Sequence, residues 1–242
     1  KLGYNFDINK LEKLITDKTK LIIINSPNNP CGSTINQESM HKISEILANK
    51  NITILADEIY SQFLYEGNHE SISNYTKLKE KIIILDGFSK SYSMTGWRIG
   101  YGIFPESLVD PISKLITNSN SCTASFTQIA AIEALKGSQE SVKLMVKEFK
   151  SRRELIVKGL NSINNITCST PSGAFYVFPN VSKTGISSEE FADRLLNEKG
   201  VATLSGESFG EEGKGYIRLS FANSKKNISE ALNRIELFTK NL

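Results

Sequence analysis

The sequence has few of the residues that hold metals or build disulfide frameworks. Its 242 residues contain two histidines, His41 and His69, and three cysteines, Cys31, Cys122 and Cys168. The cysteines are odd in number, far apart and outside any CxxC or CxxH spacing, so neither a disulfide scaffold nor a zinc site is expected, and no metal ligands are assigned. A dominant charge is also missing: 29 Lys and Arg against 26 Asp and Glu give a net +3, without a basic block or tail. Nucleic acid and membrane surfaces are therefore not expected as partners. No apolar run approaches the roughly 20 residues of a membrane span, which leads to the expectation of a soluble, cytoplasmic protein. Internal repeats and low-complexity segments are absent. Residue 1 is Lys, and "KLGYNFDINKLEKLITDKTK" reads like the interior of a domain; missing targeting signals therefore carry no weight.

What the sequence does contain is alternation. "KLIIIN" (residues 20–25) runs into the turn-rich "SPNNPCGS", and a helix follows from Gln37, capped by Asn36, with Met40, Ile43 and Leu47 on one face. Then come "ITILADE" from Ile52, a loop, "KIIILDGF" and "RIGYGIF". Near-continuous apolar runs of this length suit strands covered on both faces, and their alternation with helices predicts a mostly parallel sheet. The second half differs. Two helices are predicted between Ser107 and Leu135, then a long amphipathic one from Ser138 to Leu160 with Val142, Met145, Phe149, Ile156 and Leu160 turned inward. Shorter strands follow at "AFYVFP", "VATL" and "YIRLSF", with a helix over residues 188–198 and a closing helix from Ser224. The predicted organisation is α/β over residues 1–145 and a smaller α+β domain over 146–242.

The chemistry gathers at the ends of the first set of strands. "DGFSKSYSMTGWR" places Lys90 after a strand and Arg98 eight residues later. If Lys90 forms a Schiff base with an aldehyde cofactor, its amine must be available unprotonated, although a free lysine has a pKa near ~10.4. Burial beside another cation lowers it, and Arg98 offers that cation. An electron-accepting pyridine ring needs a carboxylate at its nitrogen, and "ILADEIY" supplies Asp57 at a strand end together with Tyr60 as a donor. "SPNNP" adds Asn29. Arg218 lies within "YIRLSF", where a guanidinium between apolar neighbours calls for an anionic partner. Read one at a time these are ordinary residues: a surface lysine, a turn-capping acid, a half-buried tyrosine, a turn asparagine. Gly96 and Gly100 are expected to serve backbone geometry, Trp97 packing, and Ser121 to Thr123 a loop cap.

Taken in order, "NSPNNPCG", "ADEIY", "SKSYSMTGWRIGY", "PSGAFYVFP" and "GYIRLSFA" resemble the motifs of class I/II pyridoxal-phosphate aminotransferases of fold type I, on the prokaryotic aspartate aminotransferase-like branch. The resemblance implies that residues 1–145 are the C-terminal part of the large cofactor-binding domain and that the cofactor is pyridoxal 5'-phosphate. It also implies that the intact protein is a homodimer acting on an amino acid and a 2-oxo acid. By the same resemblance Lys90 carries the cofactor and acts as base, Asp57 pairs with the pyridine nitrogen, Tyr60 and Asn29 bind the ring oxygen, and Ile59 packs on a ring face. Ser89 and Arg98 hold the phosphate, and Arg218 with Asn29 grips the substrate α-carboxylate. Two positions depart from the pattern: Cys31 stands where a threonine is commoner, and Gly87 replaces a hydroxyl residue that some relatives use for phosphate.

Two other readings stay open at this point, a C–S β-lyase on the same fold and a non-catalytic ligand-binding module of the aminotransferase type. Family members also carry a further N-terminal segment with a glycine-containing phosphate loop, a ring-stacking aromatic and dimer contacts. These cannot be found before "NSPNNP", and residues 1–242 alone are expected not to transaminate.

Overall fold

The computed structural model describes Tyr4 and residues 7–242. Asp7 caps a first helix, α1 (Ile8–Leu14), by accepting from Asn9 N; none of its residues is fully buried, but Leu11 and the following Ile15, four residues apart, pack against the core. The apolar runs become β1 (Leu21–Asn25), β2 (Thr53–Asp57) and β3 (Ile82–Gly87), and "RIGYGIF" yields the short β4 (Gly100–Ile103). Their order is β1-β2-β3-β4, with the first three parallel and β4 antiparallel to β3. The crossover from β1 to β2 is α2 (Gln37–Ala48), whose cap Asn36 accepts from Ser39 N at 2.8 Å. Met40, Ile43 and Leu47 of α2 pack with Ile24, Ile54, Ala56, Ile72, Leu78 and Ile82 into one apolar core.

The sheet is not covered on both faces as its apolar runs predict. Leu21 and Ile23 of β1 and Tyr101 and Ile103 of β4 are exposed, Ile23 at 67%. The core forms where α2 and the 3₁₀ turns over Ile72–Asn74 and Thr76–Lys81 pack; no described element buries these four side chains. Beyond β4 run α3 (Glu106–Ser119), without a buried residue, and α4 (Ser125–Lys136), which buries Thr127 and Ala131.

By compactness the chain divides into Lys1–Pro27 with Thr34–Leu144, and Asn28–Ser33 with Met145–Leu242. The division falls inside the long helix α5 (Glu140–Asn161), of which Val142, Ile156 and Leu160 are buried while Met145 and Phe149 are half-buried. The second unit holds a small antiparallel sheet in the order β5-β7-β6, made of β5 (Tyr176–Val177), β6 (Leu204–Ser205) and β7 (Ile217–Ser220). Helices α6 (Ser188–Lys199) and α7 (Lys225–Lys240) pack with it, burying Phe191, Leu195, Ile228, Leu232, Ile235 and Phe238. "VATL" is mostly not strand, for a local reason. Gly200 adopts a left-handed conformation (φ 66°), and Gly200 N and Val201 N donate back to Leu196 O and Leu195 O. The residues expected to begin a strand instead close α6, and pairing starts only at Leu204.

Candidate active site

Parallel strands in register bring their C-terminal ends to one edge of the sheet, where ligands of open α/β sheets bind. Asn25 pairs with Asp57, and Asp57 with Leu85. Asp57 is half-buried, and its Oδ1 accepts from Ile59 N at 3.3 Å, turning the chain out of β2. The turn-capping bond uses one oxygen of the carboxylate, which retains further acceptor capacity. The next turn buries Tyr60 to 4% exposure, held by Ser61 N to Glu58 O (2.7 Å) and Phe63 N to Tyr60 O (2.8 Å). Ile59 reaches over Gly87, where a Cβ would come within 3.3 Å of its Cδ1.

Lys90 stands in the turn after β3. Tyr92 N and Met94 N both donate to Phe88 O, and Ser93 N donates to Lys90 O, coiling residues 88–94 tightly with Ser93 at φ 55°. The coil leaves Lys90 Nζ 6.0 Å from the centroid of the Tyr60 ring. The next segment returns through a 3₁₀ turn, Thr95–Trp97, to Arg98 in the left-handed region (φ 53°). Thr95 ties the two arms together: its Oγ1 donates to Ser89 O at 2.9 Å, and its carbonyl accepts from Arg98 Nη1 at 2.8 Å. Sequence reading assigned Ser89 and Arg98 to one anion but missed this link. Arg98 also lines an open cleft of about 840 Å³ with Trp97, Asn120, Cys122, Thr123 and Phe126.

Three local expectations change. Trp97 is 46% exposed, with its ring 6.5 Å from that of Phe126; it lines the cleft rather than filling the core. Gly96 has no backbone reason to be glycine, since a Cβ there would meet nothing within 4 Å. Ser121 to Thr123 do not cap α4: its N-cap is Ala124, without a side-chain bond, and Thr123 contributes only its carbonyl, to Gln128 Nε2. Gly100 does answer a steric demand. It pairs with Gly87 across β3 and β4, and a Cβ on Gly87 would come within 3.1 Å of Gly100 Cα. A side chain at Gly87 would require Gly100 and Ile59 to give by a few tenths of an ångström.

Sequence reading also overlooked a second layer of acids. Glu58 Oε2 lies 2.9 Å from His69 Nε2, and its Oε1 accepts from Ser71 Oγ at 2.6 Å. Asp86 accepts from Gly87 N (2.7 Å) and from the Tyr101 hydroxyl (3.1 Å). Burial pushes the Asp86 carboxyl above the usual carboxylate range against the pull of those two bonds, and burial with the Asp86 charge pushes Tyr101 up to about 12.

The second unit carries the other predicted residues. Arg218 lies in β7 between buried Ile217 and Leu219, and its Nη1 donates to Asn29 Oδ1 at 2.9 Å. Its Cζ sits over the rings of Tyr176 (4.6 Å) and Phe209 (4.9 Å). The Asn29 loop is fixed from within by Asn28 N to Ser33 O and Gly32 N to Asn28 O, and from "TPSG" by Ser172 N and Gly173 N, which both donate to Gly32 O. Gly32 has φ 66°, and a Cβ there would collide with Pro171. The neighbouring Cys31 thiol is pushed up to about 11 by burial, leaving it protonated and inert at neutral pH.

Residues 2–235 match the family model described as aminotransferase class I and II. The aspartate aminotransferase of Pyrococcus horikoshii is 42% identical over 235 residues, spanning 95% of this chain and 59% of its own length. That of Bacillus sp. strain YM-2 is 43% identical over 245 residues, spanning 98% and 62%. Among solved structures, the aromatic aminotransferase from Pyrococcus horikoshii OT3 superposes with a TM-score of 0.95 at 35% identity, covering 99% of this chain and 65% of that one. The chain thus spans less than two thirds of these relatives' length.

Proposed function

The chain belongs to the class I and II aminotransferases, of fold type I, and from that premise we propose that it serves a pyridoxal-phosphate-dependent amino-acid aminotransferase. The reaction would move an amino group between an amino acid and a 2-oxo acid. The observation that carries this reading is the Thr95 tie, which draws Ser89 and Arg98 together while the same turn presents Lys90 beside Tyr60. The donor set suits pyridoxal 5'-phosphate: an amine for an aldehyde, a carboxylate for a pyridine nitrogen, a phenol for a ring oxygen, and a guanidinium with a hydroxyl for a phosphate. Bound there, the cofactor supplies the aldehyde that receives the amino group and the ring that accepts the electron pair of a broken Cα–H bond.

The chain's own residues supply the rest. Lys90 Nζ holds the cofactor in the resting enzyme, takes the substrate α-proton as general base and returns it as general acid. Asp57 keeps a proton on the ring nitrogen, and Tyr60 donates from its hydroxyl to the ring oxygen. Arg98 and Ser89 anchor the phosphate, and Ile59 limits ring tilt by packing. Arg218, steadied by Asn29, takes the α-carboxylate and so fixes which Cα bond is set for cleavage. By family resemblance the assembly is a homodimer in the cytoplasm.

The names of the similar proteins include aspartate, aromatic amino acids, N-acetyl-LL-diaminopimelate and alanine, which defines the assay panel. The intact protein, loaded with pyridoxal phosphate, is given each amino donor with 2-oxoglutarate. The expected result is glutamate formed in step with the donor's 2-oxo acid. Keto acid and ammonia released without an amino acceptor would mark a lyase instead, and ligand binding without turnover a sensing module.

A further inference from the structure

We propose that Tyr176 and Phe209 are positioning residues for Arg218: their rings, with Asn29, hold the guanidinium in the orientation that receives a carboxylate. This rests on the reading of Arg218 as the α-carboxylate ligand. An arginine side chain, long and rich in rotamers, loses a large share of its conformational entropy when fixed. A guanidinium already fixed before the ligand arrives meets that cost during folding rather than during binding. The geometry is of that kind. Tyr176 lies 4.6 Å and Phe209 4.9 Å from the Arg218 Cζ, both within cation–π range, and Asn29 Oδ1 takes Nη1 at 2.9 Å. The remaining N–H groups stay in the guanidinium plane, where a carboxylate can bind two at once.

Tyr176 is placed by the sheet, in register with Ser220, two residues beyond Arg218. Phe209 is 39% exposed, so burial does not account for its position. The glycine-rich segment "SGESFGEEGKGY" accounts for it instead. Gly206 and Gly213 touch backbone to backbone, where a Cβ on either would collide with the other. Gly206 N donates to Tyr216 O at 2.8 Å, and Gly210 bends the chain at φ 123°. The Glu207 carboxylate is pinned by Ser188 and Ser205, and Gly215 N donates to Ser188 Oγ at 2.8 Å. The T-shaped contact of Phe209 with Phe178, 6.2 Å between centroids, sets the ring's tilt. A segment rich in glycine, which sequence reading left unassigned, is thereby folded into a rigid arm that carries one aromatic ring to the arginine.

The test uses the intact, pyridoxal-phosphate-loaded protein with Phe209→Leu, Phe209→Tyr and Tyr176→Phe. Leucine keeps the bulk at 209 and removes the ring face; the other two keep a ring. Phe209→Leu is expected to raise KM for every amino acid by about 5- to 30-fold while kcat changes little. Calorimetric titration with butanoate, which has the carboxylate and no amine, should show the same loss. Phe209→Tyr and Tyr176→Phe should keep both values at the parent's level, with unfolding temperatures unchanged throughout. A Phe209→Leu protein with the parent's butanoate affinity, or a Phe209→Tyr protein as weak as Phe209→Leu, overturns the proposal. Arg218→Gln is the control that separates the two layers. If it loses butanoate while Phe209→Leu does not, the positioning role alone fails; if it keeps butanoate, the carboxylate reading of Arg218 fails with it.

Discussion

Lys90 and Arg218 are presented in opposite ways. Lys90 hangs from a coiled turn after a parallel strand, and the order around it comes from backbone hydrogen bonds to Phe88 O and Lys90 O, with the Tyr60 ring 6.0 Å from Nζ. Arg218 projects from a strand, and side chains hold it: Asn29, Tyr176 and Phe209. Under the proposed mechanism Lys90 exchanges a proton and a covalent bond in each cycle and has to move, so rigidity belongs to the turn and not to the amine. Arg218, proposed to stay charged and bind the part common to all substrates, gains from being locked in advance. The two units meet these demands with different materials, tight left-handed backbone in one and a glycine-folded aromatic arm in the other.

The largest effect should come from the first unit. Asp57→Ala removes a charge interaction at the ring nitrogen, and proton abstraction in single turnovers should fall by about 10²- to 10³-fold with the cofactor still bound. Rapid mixing that finds near-parent rates would remove Asp57 from its role. Next comes the second unit. Arg218→Lys loses the planar fork, and kcat/KM should drop by roughly 10- to 100-fold for every amino acid alike. A shift in preference among amino acids, with the need for an α-carboxylate intact, would show the arginine reading side chains instead.

The smallest effect concerns the arm beneath Phe209. Burial pushes the Glu207 carboxyl up, but the hydroxyls of Ser205 and Ser188 outweigh it and leave the group below the usual carboxylate range. A folded pKa below the unfolded one stabilises the protein above the ordinary carboxylate pKa and loses that contribution as pH falls through the folded value. Glu207→Gln should therefore melt earlier than the parent at pH 7, and the difference should shrink in acid below about pH 4. A difference that grows on acidification would contradict the hydrogen-bonded carboxylate.

Much of this was legible in the sequence because it is periodic or compact. The helix from Gln37 capped by Asn36 and the helix from Ser224 with Ile228, Leu232, Ile235 and Phe238 buried were read from spacing. At strand ends, the chemistry of "ADEIY" and "SKSYSMTGWR" pointed to Asp57, Tyr60, Lys90 and Arg98 as a candidate site, while Ile59 and Ser89 came from the family resemblance alone. What escaped has no period. Thr95 acts through one side-chain and one backbone bond across a left-handed turn, and the Asp86–Tyr101 contact depends on the β3–β4 register. The Phe209 arm depends on glycines whose spacing specifies no regular element, and the shortening of "VATL" on a helix end that consumed its first residues. The open face of β1 is a different matter: an apolar run predicts burial without saying what provides it, and uncovered apolar faces are expected of a chain that spans less than two thirds of its relatives' length.

If Lys90 is the residue that bonds the cofactor, borohydride reduction of the pyridoxal-phosphate-loaded protein followed by peptide mapping will place a pyridoxyl label on the peptide containing Lys90. The label should be lost in Lys90→Ala. A label on Lys81, whose Nζ already donates to Ala48 O and Lys50 O at the end of α2, or on Lys114 of α3, would contradict that assignment.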